Sequence, residues 1–235
     1  MDPAKFDAQV KTLCDLYQQA PDLARAGVHL VSTDEKTGIQ ALERKHPTKP
    51  TRPGLIQQRE FEYIRHGTQA LIASFSVAIG KIIASSVGPT RTEDDFADHI
   101  EAVIAREREA GWIFVVDQLN THKSEALVKL VARHCGIETA LGVKGKGGIL
   151  ASMPSRAAFL SDPGHRIRFV YTPKHTAWLN QIEIWFSILV RKLLGRGSFR
   201  STEELKARIE AFIAYFNRTM ARAFKWTYQG RPLQA

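Results

Sequence analysis

A chain of 235 residues can bury one sizeable core with at most a small appendage. Its 33 Lys and Arg against 24 Asp and Glu leave a formal net charge of +9, which favours a polyanionic partner because every neutralised phosphate releases counterions; the alternative is a basic surface that binds nothing. Cys14 and Cys135 stand alone, which excludes a CxxC-type zinc or disulfide framework and points to reduced thiols in the cytoplasm. Neither a signal peptide nor a membrane-length apolar run is present.

Residues 3–26 predict a helix, with Phe6, Val10, Leu13, Leu16 and Tyr17 at helical spacing and Pro21 breaking the pattern. This helix reads as a lead-in to the core. Four candidate strands follow, 28–33, 38–44, 60–66 and 69–85, the last bent or split at Gly80. A basic, proline-rich loop, 45–54, interrupts them, and the order suggests an antiparallel meander.

A helix over 92–110 opens with Thr92 and Asp95 as a capping box, and Phe96, Ile100, Val103 and Ile104 form its apolar stripe. Trp112 to Val116 is a short apolar strand, and 122–135 an amphipathic helix. The segment 136–164 is irregular, with a glycine-rich stretch from Gly142 to Gly148 and a short helix near 156–160. Ile167 to Tyr171 reads as the last strand, followed by helices over 178–194 and 201–217. Antiparallel strands followed by helix, strand, helix, strand, helix make an α/β chain with a mixed sheet and helices on both faces. That is the order of a ribonuclease H-like fold, in which the first and fourth strands are neighbours.

Three acids stand out against this frame. Asp34 follows the run Val28–Thr33, and Asp117 follows Trp112–Val116, so each closes a strand of one sheet. Glu183 lies on an otherwise apolar helix, next to the stripe of Leu179, Ile182, Phe186, Leu189 and Leu193 and beside Asn180 and Ser187. Each has an ordinary explanation. Asp34 can bond its own turn, Asn120 or Thr121 can cap the helix after Asp117, and Glu183 can be a solvated margin. If the three converge, they offer the hard oxygen ligands that Mg²⁺ or Mn²⁺ takes, and paired cations of this kind drive in-line phosphoryl transfer.

The blocks Thr33-Asp34-Glu35, Val115 to His122 and Tyr171 to Trp185, with Trp-Leu-Asn and Ile-Glu-Ile-Trp in one register, resemble the catalytic blocks of the mariner-like DDE transposases, particularly their bacterial insertion-sequence branch. The resemblance runs from about Val28 to the C-terminus. It implies a catalytic domain over 28–219, preceded by a helical lead-in (1–27), followed by a tail (220–235), and carrying an insertion at 136–164. It further implies cleavage of double-stranded DNA at element ends and transfer of the freed 3′ end to target DNA. Asp34, Asp117 and Glu183 would be the metal ligands for two Mg²⁺ or Mn²⁺ ions, supported by Gln118, Asn120, His122 and Asn180. Lys144, Lys146, Lys174, His175, Arg191, Lys192, Arg196 and Arg200 are the candidates for DNA contact.

Two departures from the family pattern stand out: Gln118 occupies a position where the family has Asn, and Asp117 and Glu183 are further apart than usual. The segment ahead of Val28 is too short for the family's helix-turn-helix modules, so a separately encoded subunit or a truncated copy is implied. Two other readings remain, a ribonuclease H-like nuclease that cleaves without joining and an inactive copy that only binds DNA. A homodimer is a further expectation, and no membrane association is.

Overall fold

The computed structural model describes residues 3–47, 49–58 and 60–228. An N-terminal helix, α1 (Pro3–Arg25), leads into three antiparallel strands, β1 (Val28–Arg44), β2 (Tyr63–Ser76) and β3 (Lys81–Gly88). Then come α2 (Glu93–Ile104), β4 (Gly111–Val116), α3 (Glu125–His134), α4 (Met153–Leu160), β5 (Ile167–Tyr171), α5 (Gln181–Leu189) and α6 (Thr202–Thr219). The sheet order is β3-β2-β1-β4-β5, with β4 parallel to both β1 and β5. This is the ribonuclease H-like arrangement that the element order predicts.

Alternation along the strands divides the core between two faces. Val31, Trp112, Phe114, Val116 and Phe169 point toward α2, α3 and α4. Leu30, Ile113 and Val115 point the other way, against α1, while Leu71, Ala73 and Phe75 meet α5 and α6 on that same side. Each fully buried Phe or Leu contributes about 1.5–3 kcal/mol of transfer free energy.

Several boundaries differ from the sequence reading. The strands expected at 28–33 and 38–44 are one, because Asp34, Glu35 and Lys36 keep their backbone pairing to Ala73, Ile72 and Leu71. A bulge between Lys36 and Ile39 absorbs the irregularity, with Gly38 supplying the left-handed φ of 66°. The strand expected at 60–66 and the front of the run 69–85 are also one, β2, which begins at Tyr63, and the run splits at a turn ending in Gly80. Between β1 and β2, bridges Lys49–Gln58 and Arg52–Leu55 give the proline-rich loop a hairpin shape.

The first helix is a component of the core and not a lead-in to it. Val10, Leu13, Cys14, Tyr17 and Ala20 are buried against the sheet, and the Tyr17 hydroxyl donates to the Leu179 carbonyl at 2.7 Å. The helix also runs through Pro21 to Arg25. α2 ends at Ile104, six residues earlier than expected, while its Thr92–Asp95 capping box forms as read. Residues 221–228 pack across the α1 face, with Phe224 stacked on Phe75, Trp226 against Tyr17 and Tyr228 against Trp178. This strap passes so close to Gly80 that a Cβ there would stand 1.9 Å from the Arg222 carbonyl. The rest of the expected tail, 229–235, lies outside the described residues, as do residues 1–2 of the expected lead-in. Both cysteines are free, and among the described residues no helix is long and apolar enough to cross a membrane.

Candidate metal centre

The site forms where the sheet narrows. The parallel pairing of β1 with β4 stops at Ser32–Val115, and that of β4 with β5 at Val116–Tyr171, while β1 continues along β2. Asp34 and Asp117 stand at this step. One ligand atom each from Asp34, Asp117 and His122 lie within 4.8 Å of one another.

Asp34 is 6% exposed and is held from both sides. Its Oδ1 accepts from the Glu35 N–H at 2.8 Å, and its Oδ2 from Asn180 Nδ2 at 3.2 Å. Asn180 is wholly buried: the same Nδ2 reaches the Thr33 carbonyl at 3.2 Å, and its Oδ1 accepts from the Ser32 hydroxyl. Ser32 Oγ in turn accepts from the Ile182 N–H at 2.8 Å. Alternation puts Ser32 and Asp34 on the same face of β1, so this one strand both seats the start of α5 and presents the acid beside it.

Burial, followed by the charge of Asp117, pushes the Asp34 carboxyl up to about 8, against the pull of His122. Burial opposes the charge on Asp117 too, but contact with His122 overrides it and holds Asp117 below the usual carboxylate range. The His122 Nδ1 lies 2.8 Å from Asp117 Oδ1, and its Nε2 lies 2.9 Å from Glu35 Oε2. Burial lowers its basicity, yet the two carboxylates prevail and hold the imidazole at about 9. With a carboxylate oxygen at each ring nitrogen, the imidazole is held by the protein from both sides. The pair Asp34 and Asp117 therefore has the donor chemistry of a hard divalent cation, which would relieve their mutual repulsion.

Glu183 is not brought into the 4.8 Å group. It sits in the first turn of α5, half-buried, in an open cleft of about 560 Å³ with Lys36 and Arg191. Burial raises its pKa, Lys36 opposes, and the charge of Asp117 adds to the rise, so the two acids sense each other.

The residues expected to support the acids are distributed unevenly. Asn180 and His122 contact them directly. Gln118 points elsewhere, its Nε2 donating to the Thr172 carbonyl at 2.8 Å and its Oε1 accepting from Lys123, so it ties the ends of β4 and β5 together. Asn120 is exposed in a 3₁₀ turn (Asn120–Lys123), and the cap of α3 is Ser124, not Asn120 or Thr121.

The basic candidates fall into separate places. Lys144 is paired with Glu93 at 3.2 Å, and Lys146 is exposed nearby in the glycine-rich loop. Lys174 and His175 are exposed in the turn after β5, where His175 adopts a left-handed φ of 64°. Arg191 and Lys192 lie on a π-helical turn (Val190–Leu194) that continues α5, and Arg196 and Arg200 line a second cleft with Arg44 and Lys45.

Sequence reasoning missed Glu35, Ser32 and Arg156. Arg156 is buried and donates to the Lys123 carbonyl at 2.6 Å and the Leu150 carbonyl at 3.0 Å, fastening α4 to the turn that carries His122. A charged residue inside the short helix α4 is the only signal that the sequence offers for it.

The DDE superfamily endonuclease family matches the chain over residues 29–206. Among solved structures, the fold is similar to the Mos1 transposase catalytic domain with raltegravir and Mg, at 11% identity and a TM-score of 0.51 over 96% of this chain and 88% of that one. The corresponding structure with Mn has a TM-score of 0.52 at 11% identity over the same shares. The catalytic domain of Mos1 mariner transposase is similar at 0.51 and 11% identity, over 91% of this chain and 83% of that one. No curated protein matches the chain significantly.

Proposed function

The chain belongs to the DDE superfamily endonucleases, and on that premise we propose that it is a transposase catalytic domain that cleaves double-stranded DNA at element ends and transfers the freed 3′ end to target DNA. The observation that carries the reading is the meeting of the Asp34 and Asp117 carboxylates at the step in the sheet. We assign these two acids the metal-ligand role, with Glu183 completing the shell from α5. Divalent cations held there, Mg²⁺ or Mn²⁺ as in the Mos1 catalytic-domain structures, would activate the attacking oxygen and stabilise the leaving one, and two ions suit such a displacement.

The chain's own groups do the rest. Asn180 and the Glu35 N–H orient Asp34, and His122 and the Leu119 N–H hold one oxygen of Asp117. Lys36 and Arg191, flanking Glu183, would meet the phosphodiester backbone. A separately encoded helix-turn-helix subunit that reads element ends is part of our proposal, as is a homodimer. Free cysteines agree with a cytoplasmic setting.

A strand-transfer assay with Mn²⁺ and a precleaved 3′ end tests the reading. Joined product is the expected outcome. Cleavage without joining would indicate a nuclease, and DNA binding with neither would indicate an inactive copy.

A further inference from the structure

Glu35 faces away from Asp34, through the sheet, and only 1% of its side chain is exposed. A carboxylate in that position needs compensation. Its Oε2 lies 2.9 Å from His122 Nε2, and the Thr121 hydroxyl approaches its Oε1 at 3.5 Å. The ring between them is immobilised: Phe96 covers it at 4.2 Å between centroids, and the Tyr171 hydroxyl donates to the His122 carbonyl at 2.8 Å. From Nδ1 the ring meets Asp117 Oδ1 at 2.8 Å, the same oxygen that accepts the Leu119 N–H at 2.8 Å. Among the described residues Asp117 Oδ2 has no hydrogen-bond partner.

We infer that Glu35 is a positioning residue: acting through His122, it fixes the Asp117 carboxylate so that one oxygen belongs to the protein and the other is left for a divalent cation. The inference rests on the metal-site reading above. Two carboxylates joined by one imidazole give the chain its direction. Glu35 determines where the ring sits, and the ring determines which way Asp117 turns. Outer partners of this kind tune metal affinity without touching the ion.

The test is Mn²⁺ affinity by calorimetry on the full chain, beside thermal melts in EDTA, for wild type, Glu35→Gln, His122→Asn and the double variant. Asn at 122 keeps a donor near Asp117 but does not reach Glu35. The expected result is an affinity loss of about 10–100-fold in Glu35→Gln, with a melting temperature close to wild type. The double variant should bind no more weakly than His122→Asn alone, because the two residues form one chain. Unchanged affinity in Glu35→Gln, or fully additive losses in the double variant, would overturn the inference while leaving the metal site intact. Should Glu35→Gln not melt cooperatively, Glu35→Asp replaces it, with weakened affinity expected and wild-type affinity overturning the inference. A wild-type chain that took up no Mn²⁺ would overturn the metal site and this inference together.

Discussion

His99 is buried between two serines, its Nε2 2.9 Å from Ser74 Oγ and its Nδ1 2.9 Å from Ser86 Oγ, and Ser74 continues to Thr33 at 2.8 Å. Burial lowers its pKa from 6.5 to about 4. Its folded pKa is depressed, so the unfolded chain binds more protons between those values. The stability it contributes is present above pH 6.5 and is lost as pH falls toward 4, roughly 3 kcal/mol in all. Asp34, raised by burial, works with opposite sign across the same window. The clean measurement is therefore the difference in unfolding free energy between wild type and His99→Gln at about pH 7 and about pH 4.5, with wild type expected to lose ground as pH falls. Among single residues the sequence is legible where an acid follows an apolar run, even though β1 continues past Asp34 to Arg44. Asp34 and Asp117 each close an apolar run, and the structure sets them together. Glu35 and His122 are not legible as a pair, because they are 87 positions apart and meet only through the sheet.

α5 shows what periodicity conveys and what it omits. The apolar stripe of Ile182, Phe186, Leu189 and Leu193 is buried as read, but the helix begins at Gln181, because the Asn180 side chain is engaged with Ser32, Thr33 and Asp34. Beyond Leu189 it widens into a π-helical turn that no spacing announces. β1 reads in sequence as two strands because its polar centre looks like a loop, yet backbone pairing with β2 is indifferent to side-chain polarity. α1 is underrated by its sequence for a similar reason: its stripe is plain, but the surface that receives it is assembled from Leu30, Val77, Ile113, Val115 and Leu179. Leu13, 1% exposed, tests that placement. Leu13→Ala should cost about 2–5 kcal/mol in chemical denaturation and shift a single cooperative transition. A change below about 0.5 kcal/mol would make α1 an appendage after all.

Across the whole molecule, two clefts that carry basic side chains lie along β1. α5 and its π-helical turn run beside β1, from the Ile182–Ser32 contact to the Phe199 N–H donating to the Leu42 carbonyl at 2.9 Å. Lys36 and Arg191 therefore lead from Glu183 toward a second basic cleft at Arg44, Lys45, Arg196 and Arg200. Arg196→Glu combined with Arg191→Glu should weaken duplex binding and make its logarithmic salt dependence shallower by about 0.9 for each phosphate that is no longer neutralised. An unchanged salt slope would place the DNA elsewhere. The proposed chemistry depends on Asp34 and Asp117 forming a divalent-metal site for DNA cleavage, and its decisive test is cleavage of duplex DNA in Mn²⁺ by wild type and by Asp117→Ala. Wild type should cleave, EDTA should abolish that cleavage, and Asp117→Ala should not cleave despite a native-like melt. Cleavage at the wild-type rate by a folded Asp117→Ala chain would contradict the assignment.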